Sequence, residues 1–240
     1  VTTLVTGGLG YIGSHFVWTA HRAGRSLVVL DDGSAGTHPT LPEPVAVVRG
    51  CIGDAALVSS IVQRFGVGEV VHFAGKIQVG ESVRRPALYF DHNFVRALRL
   101  LEAVVLGGVS RFVFSSTAAV YGEPVVMPIG EDTEKAPVNP YGASKLAFEL
   151  ALAAFERAHG LAWAAPRYFN AAGAMPDGSL CEGHEPETHL IPLVLDAGLG
   201  RRPPLTVFGT DYPHRRRHLR ARLRARLRSR RRAPARPGRA

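Results

Sequence analysis

At 240 residues, with 46% hydrophobic and 20% charged side chains, the chain has a globular composition and the length for one large core or two small ones. Neither end carries eighteen consecutive apolar residues or a basic stretch with a small-residue cleavage site, which argues against a membrane span and a secretion signal. The two cysteines, Cys51 and Cys181, lack metal-ligand spacing, which disfavours a disulfide framework or a zinc site and fits a reduced, cytoplasmic setting.

The net charge of +9 suggests a nucleic-acid partner until it is located along the chain. Residues 214–240 hold thirteen Arg and no acid, so residues 1–213 keep 16 of the 29 basic side chains against 20 acidic ones. The body is mildly acidic, and a nucleic-acid partner is not expected.

Residues 3–6 read as a short apolar strand running into Gly7-Gly8-Leu9-Gly10-Tyr11-Ile12-Gly13, followed by an amphipathic helix with Ile12, Phe16, Val17 and Ala20 on one face. A G-x-x-G-x-x-G turn at such a junction lets the backbone approach a pyrophosphate, while the helix N-terminus offers N–H groups and partial positive charge. Gly7, Gly10 and Gly13 fit that need. The next apolar run, 27–30, ends in Asp31-Asp32. Asp31 lies eighteen residues beyond Gly13, where a carboxylate accepts from a ribose diol and repels a 2′-phosphate, favouring NAD over NADP.

Further apolar runs at 45–48, 70–73, 111–115 and 161–169 alternate with helix-length stretches at 55–65, 86–106 and 141–159. This alternation predicts an α/β fold with a doubly wound parallel sheet of Rossmann type, its strands covered on both faces. Pro166 falls inside the 161–169 run, where it would remove a ladder donor from an interior strand. After Gly173 the spacing loosens and Pro and Gly become frequent. The expected organisation is a dinucleotide-binding domain over 1–170, a substrate-binding region over 171–213 and an Arg-rich tail over 214–240.

Tyr141 and Lys145 stand four residues apart on one face at the start of a helix, a pairing suited to proton chemistry. A nearby cation, assisted by a positive nicotinamide ring, would favour the phenolate and bring the tyrosine toward neutrality as a base. Ser115-Ser116-Thr117 at a strand end strengthens this reading. Trp18 and Trp163 are expected to pack rather than touch a cofactor, and Cys181 is given no role. His184 and His189, although close to Glu182, Glu185 and Glu187, are not expected to bind a metal.

The motifs T-G-G-L-G-Y-I-G-S-H from Thr6, H-F-A-G from His72, V-G-E-S from Val79, F-S-S-T-A-A-V-Y-G from Phe114, P-Y-G-A-S-K from Pro140 and R-Y-F-N-A-A-G-A from Arg167 resemble the extended short-chain dehydrogenase/reductase group. Within it, the match is to the NAD-dependent enzymes that epimerise nucleotide sugars, from residue 1 to about 213. The resemblance implies interconversion of UDP-glucose and UDP-galactose. Tyr141 takes the 4-hydroxyl proton as C4 gives up hydride, and a transient 4-keto sugar turns over and is reduced on its other face. Lys145 then holds the nicotinamide ribose, and Thr117 bonds the sugar oxygen. Tyr11, Ile12, Asp32, Ile52, Phe73, Ala74, Gly75, Asn93, Ser115 and Phe169 join the glycines and Asp31 around NAD, and Asn170, His189 and Leu190 contact the UDP-sugar. A homodimer is also implied.

Several residues depart from the family pattern. Cys51 replaces an Asp in a segment that touches adenine, Ile77 replaces a lysine found in some members, and Arg96 stands where relatives have Gly. Another nucleotide-sugar epimerase or a dehydratase remains an alternative, although Ala118-Ala119 occupy positions where a dehydratase places acids. A non-catalytic protein with a basic nucleic-acid-binding tail is a further alternative.

After Asp211-Tyr212-Pro213 the family continues with a segment like T-P-D-G-T-x-V-R-D-Y-I-H-V, absent here. Reading codons for residues 214–226 one base later permits Thr-x-Asp-Gly-Thr-Cys-Val-Arg-Asp-Tyr-Val-His-Val. A frameshift near codon 213 is therefore expected, leaving a small, incomplete C-terminal substrate region, a disordered tail and little or no activity for the chain as written.

Overall fold

A computed structural model describes residues 1–34, 40–184, 187 and 189–206. The Arg-rich tail over 214–240, Asp211-Tyr212-Pro213 and Glu185 lie outside the described residues. The contacts divide the chain into Val1–Pro192, which holds the sheet, its helices and the cleft described below, and a second unit, Leu193–Ala240.

In chain order the elements are β1 (Thr2–Thr6), α1 (Tyr11–Arg22), β2 (Leu27–Asp31), β3 (Ala46–Arg49), α2 (Ala55–Phe65), β4 (Val67–His72), α3 (Val79–Arg84), α4 (Pro86–Phe90), α5 (Arg96–Leu106), β5 (Arg111–Phe114), β6 (Ser116–Thr117), α6 (Pro140–His159), β7 (Ala162–Ala164), β8 (Arg167–Tyr168) and α7 (Leu190–Gly198). Local chemistry sets several ends. The Asp54 carboxylate caps α2 by accepting from the Leu57 N–H at 3.0 Å, and Gly66 ends it in the left-handed region with φ 61°. Asn139 caps α6 through the Gly142 N–H at 2.9 Å, with Pro140 in the first turn and Gly160 at the stop.

Six parallel strands pair in the order β3-β2-β1-β4-β5-β7. Along β1 and β2, alternate residues serve opposite faces. Leu4, Val28 and Leu30 pack with α2, α5 and α6, whereas Val5, Leu27 and Val29 pack with α1. This is the doubly wound arrangement expected from the continuous apolar runs, because a strand covered on both faces has no solvent side on which to place polar residues. Among the described residues, no helix is long and apolar enough to cross a membrane.

Two expectations are corrected. The 161–169 run is two strands: β7 pairs with β5 at the edge of the main sheet, and β8 pairs with β6 in a separate two-stranded sheet. Pro166 sits at the break, where no ladder donor is required, and its carbonyl accepts the Ser116 N–H at 3.0 Å. The 86–106 stretch is helical throughout but contains a π-helical turn at Asp91–Val95 between α4 and α5.

His72, 1% exposed at the end of β4, bonds Thr6 Oγ1 through Nδ1 at 2.5 Å and packs among Phe112, Phe114 and Phe148. Burial, and then the charge of Lys145, holds its pKa down at about 3. The unfolded chain therefore takes up a proton near 6.5 that the folded chain refuses. Stability from this residue is present above that value and is lost as pH falls from about 6.5 toward 3. Denaturant midpoints at pH 7 and pH 5 should show a smaller acid-induced drop for His72→Gln than for the parent; equal drops would assign the loss to other groups.

Candidate active site

The crevice opens where β1 and β4 leave the sheet in different directions, at the carboxyl ends of the strands. Gly7 has φ +72°, and a Cβ there would lie 2.5 Å from the Ala74 nitrogen; a Cβ on Gly13 would lie 2.1 Å from the Gly7 oxygen. Turn, helix start and β4 exit therefore meet backbone to backbone. Gly10, with only the Gly7 oxygen at 3.4 Å, borders open space, and as N-cap of α1 it supplies no side-chain bond. The first-turn N–H groups and the positive end of the helix are left to the cleft.

Asp31 locks this turn to β2. Its carboxylate accepts from the Leu9 N–H at 2.9 Å and the Gly33 N–H at 2.8 Å while still bordering the cleft. Next to it, burial works to raise the Asp32 carboxyl, but hydrogen bonds from Ser34 and the charges of His92 and Arg96 outweigh it and hold the pKa low.

The cleft measures about 910 Å³, near the upper end of the range of about 300–1,000 Å³ for small-molecule sites. It brings together Gly7, Gly10, Tyr11, Ile12, Gly13, Asp31, Asp32, Ile52, Phe73, Ala74, Gly75, Ser115, Thr117, Tyr141, Lys145, Phe169, Asn170 and His189. Asn93 and Leu190 are placed elsewhere. Asn93 is buried behind the wall, accepting the Lys76 N–H at 2.8 Å and donating to the Lys76 carbonyl at 3.0 Å and Ser144 Oγ at 3.2 Å, so it props the Phe73–Lys76 loop against α6. Leu190 begins α7 and is 52% exposed.

At the reactive end, the Lys145 ammonium donates to the Ser115 carbonyl at 3.1 Å and lies 4.9 Å above the Phe114 ring; burial lowers its pKa to about 8. Thr117 Oγ1 accepts the Ala119 N–H at 3.1 Å and borders the cleft together with Tyr141. Burial pushes the Tyr141 phenol above its ordinary value, and the Thr117 hydroxyl pulls it back.

Sequence reasoning missed Tyr89. It is fully buried, edge-on to Tyr141 with ring centroids 6.5 Å apart, and donates to Glu81 at 3.0 Å. Glu81 belongs to the V-G-E-S motif, the one signal that could have pointed there.

Two departures from the family pattern touch one another. The Arg96 guanidinium bonds Asp91 at 2.7 and 2.8 Å and donates to Cys51 Sγ at 3.5 Å on the Asp31 side of the cleft. Glu182, His184, Glu187 and His189 bring one donor atom each within 4.8 Å, a spacing a divalent cation could use. Their imidazoles already engage the carboxylates, His184 with Glu182 and His189 with Glu187.

A family model described as the NAD dependent epimerase/dehydratase family matches residues 3–221. The chain is 49% identical over 209 residues to the UDP-glucose 4-epimerase of Azospirillum brasilense, covering 87% of this chain and 60% of that protein. A crystal structure of UDP-glucose 4-epimerase from Brucella ovis in complex with NAD superposes with TM-score 0.85 at 42% identity, covering 89% of this chain and 66% of that one. The Bifidobacterium longum enzyme in complex with NAD+ and UDP gives TM-score 0.82 at 32% identity over 90% of this chain and 68% of that one. The chain spans less than two thirds of the length of the curated relatives it matches.

Gly13→Ala should force the start of α1 off the Gly7-Gly8 turn, costing about 1–3 kcal/mol of stability and weakening NAD binding at least tenfold. Gly198→Ala, which meets nothing within 4 Å, serves as the control. Thermal melts with NAD titration check this; an unchanged melt for Gly13→Ala would show that the contact is not tight.

Proposed function

The chain belongs to the NAD dependent epimerase/dehydratase family, and from that premise we propose that it acts with NAD on a UDP-sugar, inverting C4 to interconvert UDP-glucose and UDP-galactose. The observation that carries the reading is Tyr141: a half-buried phenol sharing the cleft with Thr117, one turn ahead of the buried Lys145 ammonium, with the glycine turn and Asp31 on the same cleft. When bound, NAD would supply the acceptor and donor of the C4 hydride and the positive charge of its oxidised ring.

The residues present fit that group. The uncapped start of α1 and Gly10 offer N–H groups and space to a pyrophosphate, Asp31 accepts from a ribose diol, and Phe73, Ala74, Gly75, Ser115 and Phe169 wall the cavity. Tyr141 removes and returns the sugar 4-hydroxyl proton. Lys145, with its pKa near 8, is mostly protonated at neutral pH and donates hydrogen bonds from the cavity floor. Thr117 donates to whichever oxygen carries the developing charge. Asn170 and His189, on the same cleft, contact the nucleotide sugar, with Leu190 beside them. Ala118 and Ala119 line the cleft directly after Thr117, a position that gives a dehydratase no acid. Relatives named UDP-glucose 4-epimerase at 42–49% identity support the substrate.

NAD should bind at least tenfold more tightly than NADP in calorimetric titrations, since Asp31 opposes a 2′-phosphate; equal affinities would remove Asp31 from that role.

Conversion of UDP-galactose should be measured for the chain as written and for the version read one base later beyond Pro213. The shifted version should turn over faster, and Tyr141→Phe within it should lose on the order of 10²–10⁴-fold in rate with NAD retained. Parent-like turnover in Tyr141→Phe would overturn the assignment of the base, and equal turnover of the two versions would refute the frameshift.

A further inference from the structure

Tyr141, Lys145 and Glu149 follow at intervals of four along α6 and share one face. The first two reach the cleft, and the third does not. Glu149 is 4% exposed, and both its oxygens are engaged. Ser116 Oγ donates at 2.5 Å and Arg167 Nε at 3.0 Å to Oε1, and Arg167 Nη2 donates at 2.6 Å to Oε2. Through Nη1, Arg167 also donates to the Tyr121 hydroxyl at 2.6 Å and the Glu131 carbonyl at 3.3 Å.

Burying a full ion pair is a weak route to stability, because the lost hydration offsets most of the attraction. What this pair secures is placement. Ser116 and Arg167 are cross-strand partners in the β6–β8 pair, which has two residues per strand and, among the described residues, no other strand beside it. A ladder that short does not hold itself. Yet it carries Thr117 on one strand and leads directly into Phe169 and Asn170 from the other. Glu149 grips both strands from the helix that bears Tyr141.

We propose that Glu149 is a positioning residue that, by clamping Ser116 and Arg167 to α6, fixes the Thr117 hydroxyl against the Tyr141 phenol. The proposal rests on the reading of Tyr141 as the proton carrier, but its geometry can be tested without turnover. Around the phenol stand Lys145 on the same helix and Tyr89 with Glu81 from α4 and α3; none of these changes in the variants below.

The experiment is titration of the Tyr141 phenol by carbon NMR with ζ-labelled tyrosine, the signal assigned by its loss in Tyr141→Phe. Glu149→Gln removes a negative charge and strands Arg167, so electrostatics alone would lower the phenol's pKa. Displacing the Thr117 hydroxyl, which pulls the phenol's pKa down, raises it. The expected result is an upward shift of about one pH unit, similar to that of Thr117→Val and not enlarged in the double variant, with NAD affinity within twofold of the parent.

Arg167→Lys, which keeps the charge but loses the fork, should give a smaller shift of the same sign and stands in where Glu149→Gln does not fold. Where alkaline unfolding cuts a titration short, the ζ-carbon shift at neutral pH carries the same comparison. A downward shift, no shift, or full additivity with Thr117→Val would overturn the proposal. Parent-like turnover in Tyr141→Phe would instead overturn the function while leaving this measurement standing.

Discussion

The cleft depends on a place where three stretches of backbone touch with no side chain between them. The Gly7 turn, the Gly13 start of α1 and the Phe73-Ala74 exit of β4 are pressed together closely enough that a methyl group at either glycine would collide with main-chain atoms. Both Phe73 and Ala74 donate their N–H groups to the Thr6 carbonyl, so β1 and β4 remain joined up to the point where their connections part. That parting creates the crevice, and Asp31, bonded to the Leu9 amide, fixes how far the turn stands from β2. The positions of the helix start and of Phe73, Ala74 and Gly75 follow from this contact.

At the other end the organising factor is buried charge. Lys145 lies over an aromatic ring with one carbonyl partner, and Glu149 meets Arg167 a single turn further along α6. An ammonium this buried interacts more strongly with a charge entering the cleft than one in bulk water would. The carboxylate–guanidinium pair, fully bonded within itself, stays electrically quiet while tying β6 and β8 to the helix. One helix face thus combines a group available for chemistry with one that keeps the geometry.

Local features were legible in the sequence. The strand–turn–helix around Gly7, the carboxylate at Asp31, and α2, whose observed limits are the predicted ones because Asp54 and Gly66 mark its ends, are all written within a few neighbouring residues. Pairing over distance was not legible. In the 161–169 run Pro166 marks an irregularity, but nothing there says that the first part joins the main sheet and the last part a separate ladder. Asn93, an NAD contact by the resemblance, turns to the Lys76 backbone rather than the cleft. Tyr89 and Glu149 gained their meaning only from partners brought in by packing.

The π-helical turn at Asp91–Val95 also bears on how this gene can change. A π turn takes one residue more than an α turn, so it marks a helix whose two halves keep separate registers: α4 against α6, and α5 against α2. Deleting one codon there would restore regular winding but rotate one half by about 100° relative to the other, swinging Tyr89 away from Tyr141 or Leu100 and Leu101 out of the core. Sequence drift can replace side chains along this helix freely on its outer face, but its length is frozen. A one-residue deletion between Pro86 and Leu106 is a more damaging event for this protein than a one-residue deletion in the loop over 123–138.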